Sequence, residues 1–128
     1  MTHVHRDATG RQIIDAAIKV HKSLGPGLLE SAYEHCLSYE IGRAGLTVRR
    51  QILLPIRYHN LAIDAGYRID VLVEGKVVLE LKAVEKVLPV HSAQVLSYLR
   101  LGAYRLGYLL NFHVEHMRDG IKRVVNGL

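Results

Sequence analysis

Glu80 and Lys82 stand two residues apart in the segment VVLELKAVEKV, residues 77–87. Val77, Val78, Leu79 and Leu81 around them are the residues of a sheet interior. In a strand, positions i and i+2 point to one face, so a carboxylate and an ammonium emerge side by side from an apolar strand. Asp70 has a comparable setting in YRIDVLV, residues 67–73. An ionised carboxylate in apolar surroundings is costly unless it is paired or binds a cation. Two that face each other repel, and each raises the other's pKa. A hard divalent cation removes that conflict, and an all-oxygen donor set favours Mg2+ or Mn2+. Lys82 shares the Glu80 face, where its ammonium could assist a water attacking a phosphodiester or neutralise charge growing on the phosphate oxygens. Spacing alone leaves open the alternative that Glu80 and Lys82 form an ordinary ion pair on a solvated sheet face.

The hairpin between the two segments decides whether Asp70 and Glu80 meet. With Glu74-Gly75-Lys76 as a three-residue loop, Val73 pairs with Val77 and Asp70 lies opposite Glu80, at a Cβ separation of ~5 Å. With Glu74-Gly75 as a two-residue turn, which a Xaa-Gly pair favours, the carboxylates fall on opposite faces. We expect the longer loop or a compensating bulge.

Two helical segments carry further polar groups. In GLLESAYE, residues 27–34, Glu30 and Glu34 are i and i+4 and share a helix face, an arrangement that costs a few tenths of a kcal/mol. The helix dipole accounts for Glu30 at the helix start more easily than for Glu34. After Pro89, the residues His91, Gln94 and Tyr98 are at i, i+3 and i+7 and make a polar line opposite Ala93, Leu96, Leu99 and Ala103. A Gln amide and a Tyr hydroxyl can bind phosphate oxygens or bases; they also suit a plain helix surface, and a Tyr suits a core.

The elements that position these groups read as α, α, β, β, β, α, β. ATGRQIIDAAIKVHKSLG has apolar residues at helical spacing, with Thr9 as a cap and Gly25-Pro26-Gly27 as a stop. A second helix is expected over residues 28–43, with Leu29, Tyr33, Cys36 and Leu37 as its apolar stripe and Gly45 beyond its end. TVRRQILLPIRY alternates with period two, Pro55 placing it at an edge or a bulge, and His59-Asn60 reads as a turn. RLGYLLNF is apolar on both faces and so belongs in a sheet interior. VEHMRDGIKRVV is a basic tail without a clear pattern. A meander followed by a helical crossover implies a mixed sheet with helices packed on it, an α/β (α+β) fold.

Composition is that of a globular domain: 128 residues, 49% hydrophobic and 23% charged. Seventeen Lys and Arg against twelve Asp and Glu give a net charge of +5, which suits a polyanion but does not require one. A lone cysteine, Cys36, excludes an intrachain disulfide and fits a reducing compartment. No apolar run approaches the ~20 residues of a membrane helix, and MTHVHRDATG lacks a signal-peptide core. A cytoplasmic protein without membrane contact is expected. The His residues show no HExxH, and His113 and His116 at i and i+3 are weak zinc candidates.

GLLESAY (residues 27–33) matches the motif of the GxxExxY proteins, a bacterial and archaeal group of the PD-(D/E)xK nuclease superfamily. The chain resembles that group over nearly its whole length, with YRIDVLVEGKVVLELKAVE, HSAQVLSYL and DGIKRVVN as further similar segments. The resemblance implies one domain over residues 1–128, with a restriction-endonuclease-like αβββαβ core. It makes Asp70 the motif aspartate, Glu80-Leu81-Lys82 the ExK, the Leu81 carbonyl a further metal ligand and Glu30 the acid of the first core helix. Gln94 and Tyr98 resemble the QxxxY element of the RecB-like branch. Ile69 replaces the proline of the superfamily's name.

The expected activity is Mg2+- or Mn2+-dependent hydrolysis of nucleic acid, DNA above all, with metal ligands Glu30, Asp70, Glu80 and Leu81 and with Lys82, Gln94 and Tyr98 completing the site. Arg49, Arg50, Arg57, Arg68, Lys86 and Arg100 are candidate phosphate contacts. One alternative is a binding or accessory module that keeps this fold without turnover. Another is a small structural homodimer whose charged strand faces are merely wet. A homodimer is also compatible with the nuclease reading.

Overall fold

The structure, a computed structural model, describes residues 8–127. Helix α1 (Ala8–Leu24) buries Ile13, Ala16, Ala17 and Val20 at helical spacing. It ends at Gly25, whose φ of +67° is cheap only without a Cβ and whose N–H donates to the His21 carbonyl at 2.8 Å. Thr9, the expected cap, lies within the first turn.

Helix α2 (Glu30–Arg43) starts two residues later than expected because Leu29, at φ −73° and ψ 152°, is still extended. Leu29 is therefore 78% exposed and contributes nothing to the apolar stripe, which consists of Tyr33, Leu37 and Ile41, all fully buried. Tyr33 explains the late start. Its hydroxyl donates to the Gly25 carbonyl at 2.5 Å and accepts the Leu28 N–H at 3.1 Å, and its ring stacks on Phe112 at 4.5 Å. The α1–α2 loop is thus pinned from inside the core.

The expected single strand around TVRRQILLPIRY is two strands, β1 (Val48–Leu53) and β2 (Ile56–Tyr58). Pro55 cannot donate to a ladder, and the chain leaves the main sheet there. β2 pairs with β3 (Leu61–Ile63) across the His59-Asn60 turn as a separate two-stranded sheet. The main sheet continues with β4 (Arg68–Val73), β5 (Val77–Lys82), β6 (Leu106–Asn111) and β7 (Ile121–Val125), in the spatial order β1-β4-β5-β6-β7. Helix α3 (Pro89–Gly102) links β5 to β6, which pair in parallel. The tail without a clear pattern forms a 3-10 turn (Met117–Gly120) and the edge strand β7, antiparallel to β6.

This is an α+β fold of restriction-endonuclease-like architecture, with a five-stranded mixed sheet covered on both faces. Tyr33 and Leu37 of α2 pack with Ile13 of α1 on Val71, Leu79 and Leu110. On the other face Val95, Tyr98 and Leu99 of α3 pack on Leu72, Val78 and Leu109. Ala103, expected on the apolar side of α3, is instead its left-handed C-cap at φ +59°, and Ala93 is exposed. β5 is central and buried along both faces, which is why its sequence is apolar without alternation. Among the described residues no helix is long and apolar enough to cross a membrane.

Candidate active site

The β4–β5 turn brings the two carboxylates together. Glu74 and Gly75 both have positive φ, 55° and 63°, and the Lys76 N–H donates to the Val73 carbonyl at 3.0 Å. That is the backbone of a two-residue turn. Yet Val73 pairs with Val77, so Lys76 is an extra residue and the loop counts three. The extra residue puts Asp70 and Glu80 on one face.

Asp70 is released from both neighbouring ladders. The β4–β5 register runs from Val73↔Val77 to Val71↔Leu79 and goes no further. On the other side the β1–β4 register passes from Arg50↔Val71 to Ile52↔Ile69, leaving out Gln51 and Asp70. Gln51 has φ +53°, and the register is the same on either side of it, so neither strand holds an extra residue and the ladder is kinked open at Gln51 and Asp70. Side-chain parity slips accordingly: Val71 and Val73 pack under α1 and α2, whereas Ile69 joins Leu72 on the α3 face.

Carboxylates take over the bonds that the ladder gives up. The Asp70 N–H donates to Glu80 Oε1 at 3.2 Å, and the Leu81 N–H donates to Asp70 Oδ2 at 2.9 Å. Each acid is therefore tied to the other's strand. Glu80 is only 5% exposed. Burial, then the nearby Asp70 charge, pushes its pKa up to about 8. Burial also raises Asp70, against the Leu81 N–H, which favours its anion; Glu34 and Glu30 raise it further. Lys82, half-buried at the end of β5, lowers both acids but closes no ion pair among the described residues.

Glu30 stands apart from this pair. Its carboxylate accepts the Ala83 N–H at 3.2 Å, just past β5, near enough to raise Asp70 and Glu80 electrostatically. Among the described residues no three His, Cys, Asp or Glu side chains gather into a metal cage. The donor chemistry does suit a hard cation. Two carboxylates share one face, one of them nearly buried, and their mutual repulsion has no full counter-charge.

On α3, Gln94 donates to the Tyr98 hydroxyl at 3.1 Å. Burial and then Glu80 raise the Tyr98 pKa, so that hydroxyl stays protonated beside the acids. Tyr98 is both core and site: its ring is buried, while Tyr98, Gln94 and His91 line one open groove.

A model of the PD-(D/E)XK nuclease superfamily matches residues 7–124. The chain belongs to this superfamily. No curated protein and no solved structure matches it. In this nuclease-superfamily chain the sequence motifs acquire physical roles. Gly27 (φ +105°) and Tyr33 shape the α1–α2 loop so that Glu30 opens α2 against the end of β5.

The sequence reading singled out Glu34 without giving it a role, and it missed Asn111. Glu34 is buried, with Oε2 accepting Arg50 Nε at 3.0 Å and Oε1 accepting Gln51 Nε2 at 3.0 Å. Arg50 is thus engaged with Glu34, and also lies 3.1 Å from His35 Nε2; it is no free phosphate contact. These bonds hold the Gln51 kink. Asn111, 2% exposed, accepts the Val84 and His113 N–H groups and donates to the Val84 carbonyl, fixing the chain just beyond Lys82. The like-charged Glu30–Glu34 spacing and the lone amide at the end of RLGYLLNF were the available signals.

Proposed function

We propose that the protein is a metal-dependent nuclease acting on nucleic acid, DNA in the first instance, of the GxxExxY group in the RecB-like branch of the superfamily. The observation that carries this reading is the interlocked Asp70–Glu80 pair beside Lys82, in a chain matched by the nuclease model over residues 7–124. GLLESAY and the Gln94–Tyr98 hydrogen bond support the finer assignment.

Asp70 and Glu80 would hold Mg2+ or Mn2+, with the Leu81 carbonyl and Glu30 as further ligands. When bound, such an ion polarises the scissile phosphate and acidifies water. Glu80 must give up its proton to serve as a ligand, so its raised pKa sets a pH threshold for the site. The Lys82 ammonium orients the attacking water and offsets negative charge on the phosphate oxygens in the transition state. The Tyr98 hydroxyl, protonated and held by Gln94, donates to the strand backbone. Asn111 keeps Lys82 aimed by fixing Val84.

The test is cleavage of single- and double-stranded DNA and RNA with Mg2+ or Mn2+ by wild type, Glu80→Ala and Lys82→Ala. Wild-type activity lost in both variants supports the reading; equal activity in all three sinks it.

A further inference from the structure

A groove of about 530 Å³ runs along α3 and is lined by Gln94 and Tyr98, inside the ~300–1,000 Å³ range of ligand clefts. Its walls are apolar: Ile56 of the β2–β3 hairpin, and Val90 and Leu101 of α3. Tyr67 lines it with 40% of its surface exposed, its ring set edge-on to Tyr98 at 6.0 Å. The groove thus offers an aromatic face held in place by a second aromatic ring.

Polar groups converge on the same space. Gln94 spends one N–H on Tyr98 and keeps its amide carbonyl for a ligand. His91 accepts the Leu88 N–H at Nδ1, 3.0 Å away, which leaves the neutral ring's proton on Nε2 as a donor. A flat ring that stacks on one face and exchanges hydrogen bonds at its edge meets this arrangement; a phosphate or an aliphatic chain does not. Arg57 and Arg68 are exposed and next in the chain to Ile56 and Tyr67 of the lining, positive charge that a polyanionic strand favours.

The geometry points to this groove as the receptor for one unpaired nucleobase of the strand being cut, stacked on Tyr67 and hydrogen-bonded by Gln94 and His91. A base inside a duplex stack cannot enter, because it must first be unpaired or turned out. The substrate class is therefore a single strand, a frayed end or a flap. The inference rests on the nuclease reading only for the position of the scissile bond. Tyr98 joins the two sites, its hydroxyl beside the acids and its ring in the groove wall.

The experiment uses metal-free wild type, Tyr67→Ala and Tyr67→Phe with a short single-stranded DNA carrying one 2-aminopurine, the matching RNA, and a closed duplex whose two terminal base pairs are cross-linked between the strands, so that no base is unpaired. Affinity is read by anisotropy and stacking by quenching of 2-aminopurine. Tyr67→Ala is expected to weaken single-strand binding about 10-fold or more, the usual effect of losing one stacking ring, and to abolish quenching. Tyr67→Phe should retain both, and neither change should alter binding of the closed duplex. The Tyr67 carbonyl accepts the Leu54 N–H through the backbone, so the alanine variant keeps its fold, as thermal melting will verify. Equal weakening on single strand and duplex, or none on either, overturns the inference. So does a wild-type dimer that Tyr67→Ala dissociates, which would assign the groove to a second copy of the chain. Binding and quenching without Mg2+ or Mn2+ cleavage keeps the base receptor and removes the nuclease. Cleavage of closed duplex at full rate by Tyr67→Ala does the reverse.

Discussion

Asp70 and Glu80 are both acidic, yet the Asp70 main-chain N–H donates to the Glu80 carboxylate while the Asp70 carboxylate reaches the main chain one residue past Glu80. The β-ladder stops one pair short of them, so the strands splay where the side chains cross. That reciprocal tie holds two acids close together, at an energetic cost that pH should expose.

The first prediction concerns that cost. The folded-state pKa of Glu80 is raised from 4.5 to about 8, so the native state binds a proton more tightly than the unfolded chain does. Stability of the metal-free protein should therefore fall as pH rises from about 4.5 to about 8. The loss is at most about 5 kcal/mol at 1.4 kcal/mol per unit. Glu80→Gln, which keeps the shape without the charge, should remove most of that slope. Urea unfolding in EDTA at several pH values checks it; a parallel slope in wild type and variant would refute the assignment.

Cation binding should show the opposite dependence. A proton on Glu80 competes with a metal ion, so Mg2+ should stabilise the protein more at pH 8 than at pH 6. An ion at 100 times its dissociation constant stabilises by about 2.7 kcal/mol, which raises the melting temperature by several degrees. Asp70→Asn should abolish the shift at both pH values, whereas a shift that survives in this variant would place the ion elsewhere.

Much of this arrangement was legible in the sequence. The apolar run around Glu80 and Lys82 marks a central strand because burial on both faces removes alternation, and β5 is that strand. The loop count was harder, since Glu74-Gly75 has the residue types of a short turn and adopts its dihedrals; the added Lys76 alone restores the register. The β2–β3 hairpin was hidden because alternation continues across Pro55 while hydrogen bonding does not. Glu34 could not be paired with Arg50 and Gln51 in advance, because that contact joins α2 to a distorted edge strand 16 and 17 residues away. The kink in that strand at Gln51 frees Asp70, which no local pattern signals.

That kink gives the third prediction. Arg50→Leu removes a charged hydrogen bond to a nearly buried carboxylate and should cost about 1.5–3 kcal/mol. Because Arg50 is engaged with Glu34, its loss should act through the Gln51 kink and Asp70. We expect kcat to fall with little change in KM or in the salt dependence of binding. A flattened salt slope in Arg50→Leu would return this residue to the phosphate contacts.

Tyr33 supplies the fourth. Tyr33→Phe keeps the stack on Phe112 but loses both bonds that pin the α1–α2 loop, at about 1 kcal/mol each. Tyr33→Ala also empties a fully buried site and should cost about 3–5 kcal/mol. Chemical denaturation with both variants separates hydroxyl from ring; a Tyr33→Phe protein as stable as wild type would mean that the loop bonds contribute nothing.

Lys82 sits at the end of β5 with its backbone doubly fixed. Its carbonyl accepts the Phe112 N–H at 2.9 Å, and Asn111 holds Val84 two residues on. Removing the ammonium should therefore leave the strand in place and act on chemistry alone. Lys82→Ala should lower kcat about 10²–10³-fold, as loss of a transition-state charge contact does, with the melting temperature nearly unchanged. Asn111→Ala strips three hydrogen bonds from a buried position and should lower both stability and kcat. If Asn111→Ala proves as stable and as active as wild type, the aim of Lys82 does not depend on the β6 amide, and the positioning argument fails while the acid pair stands.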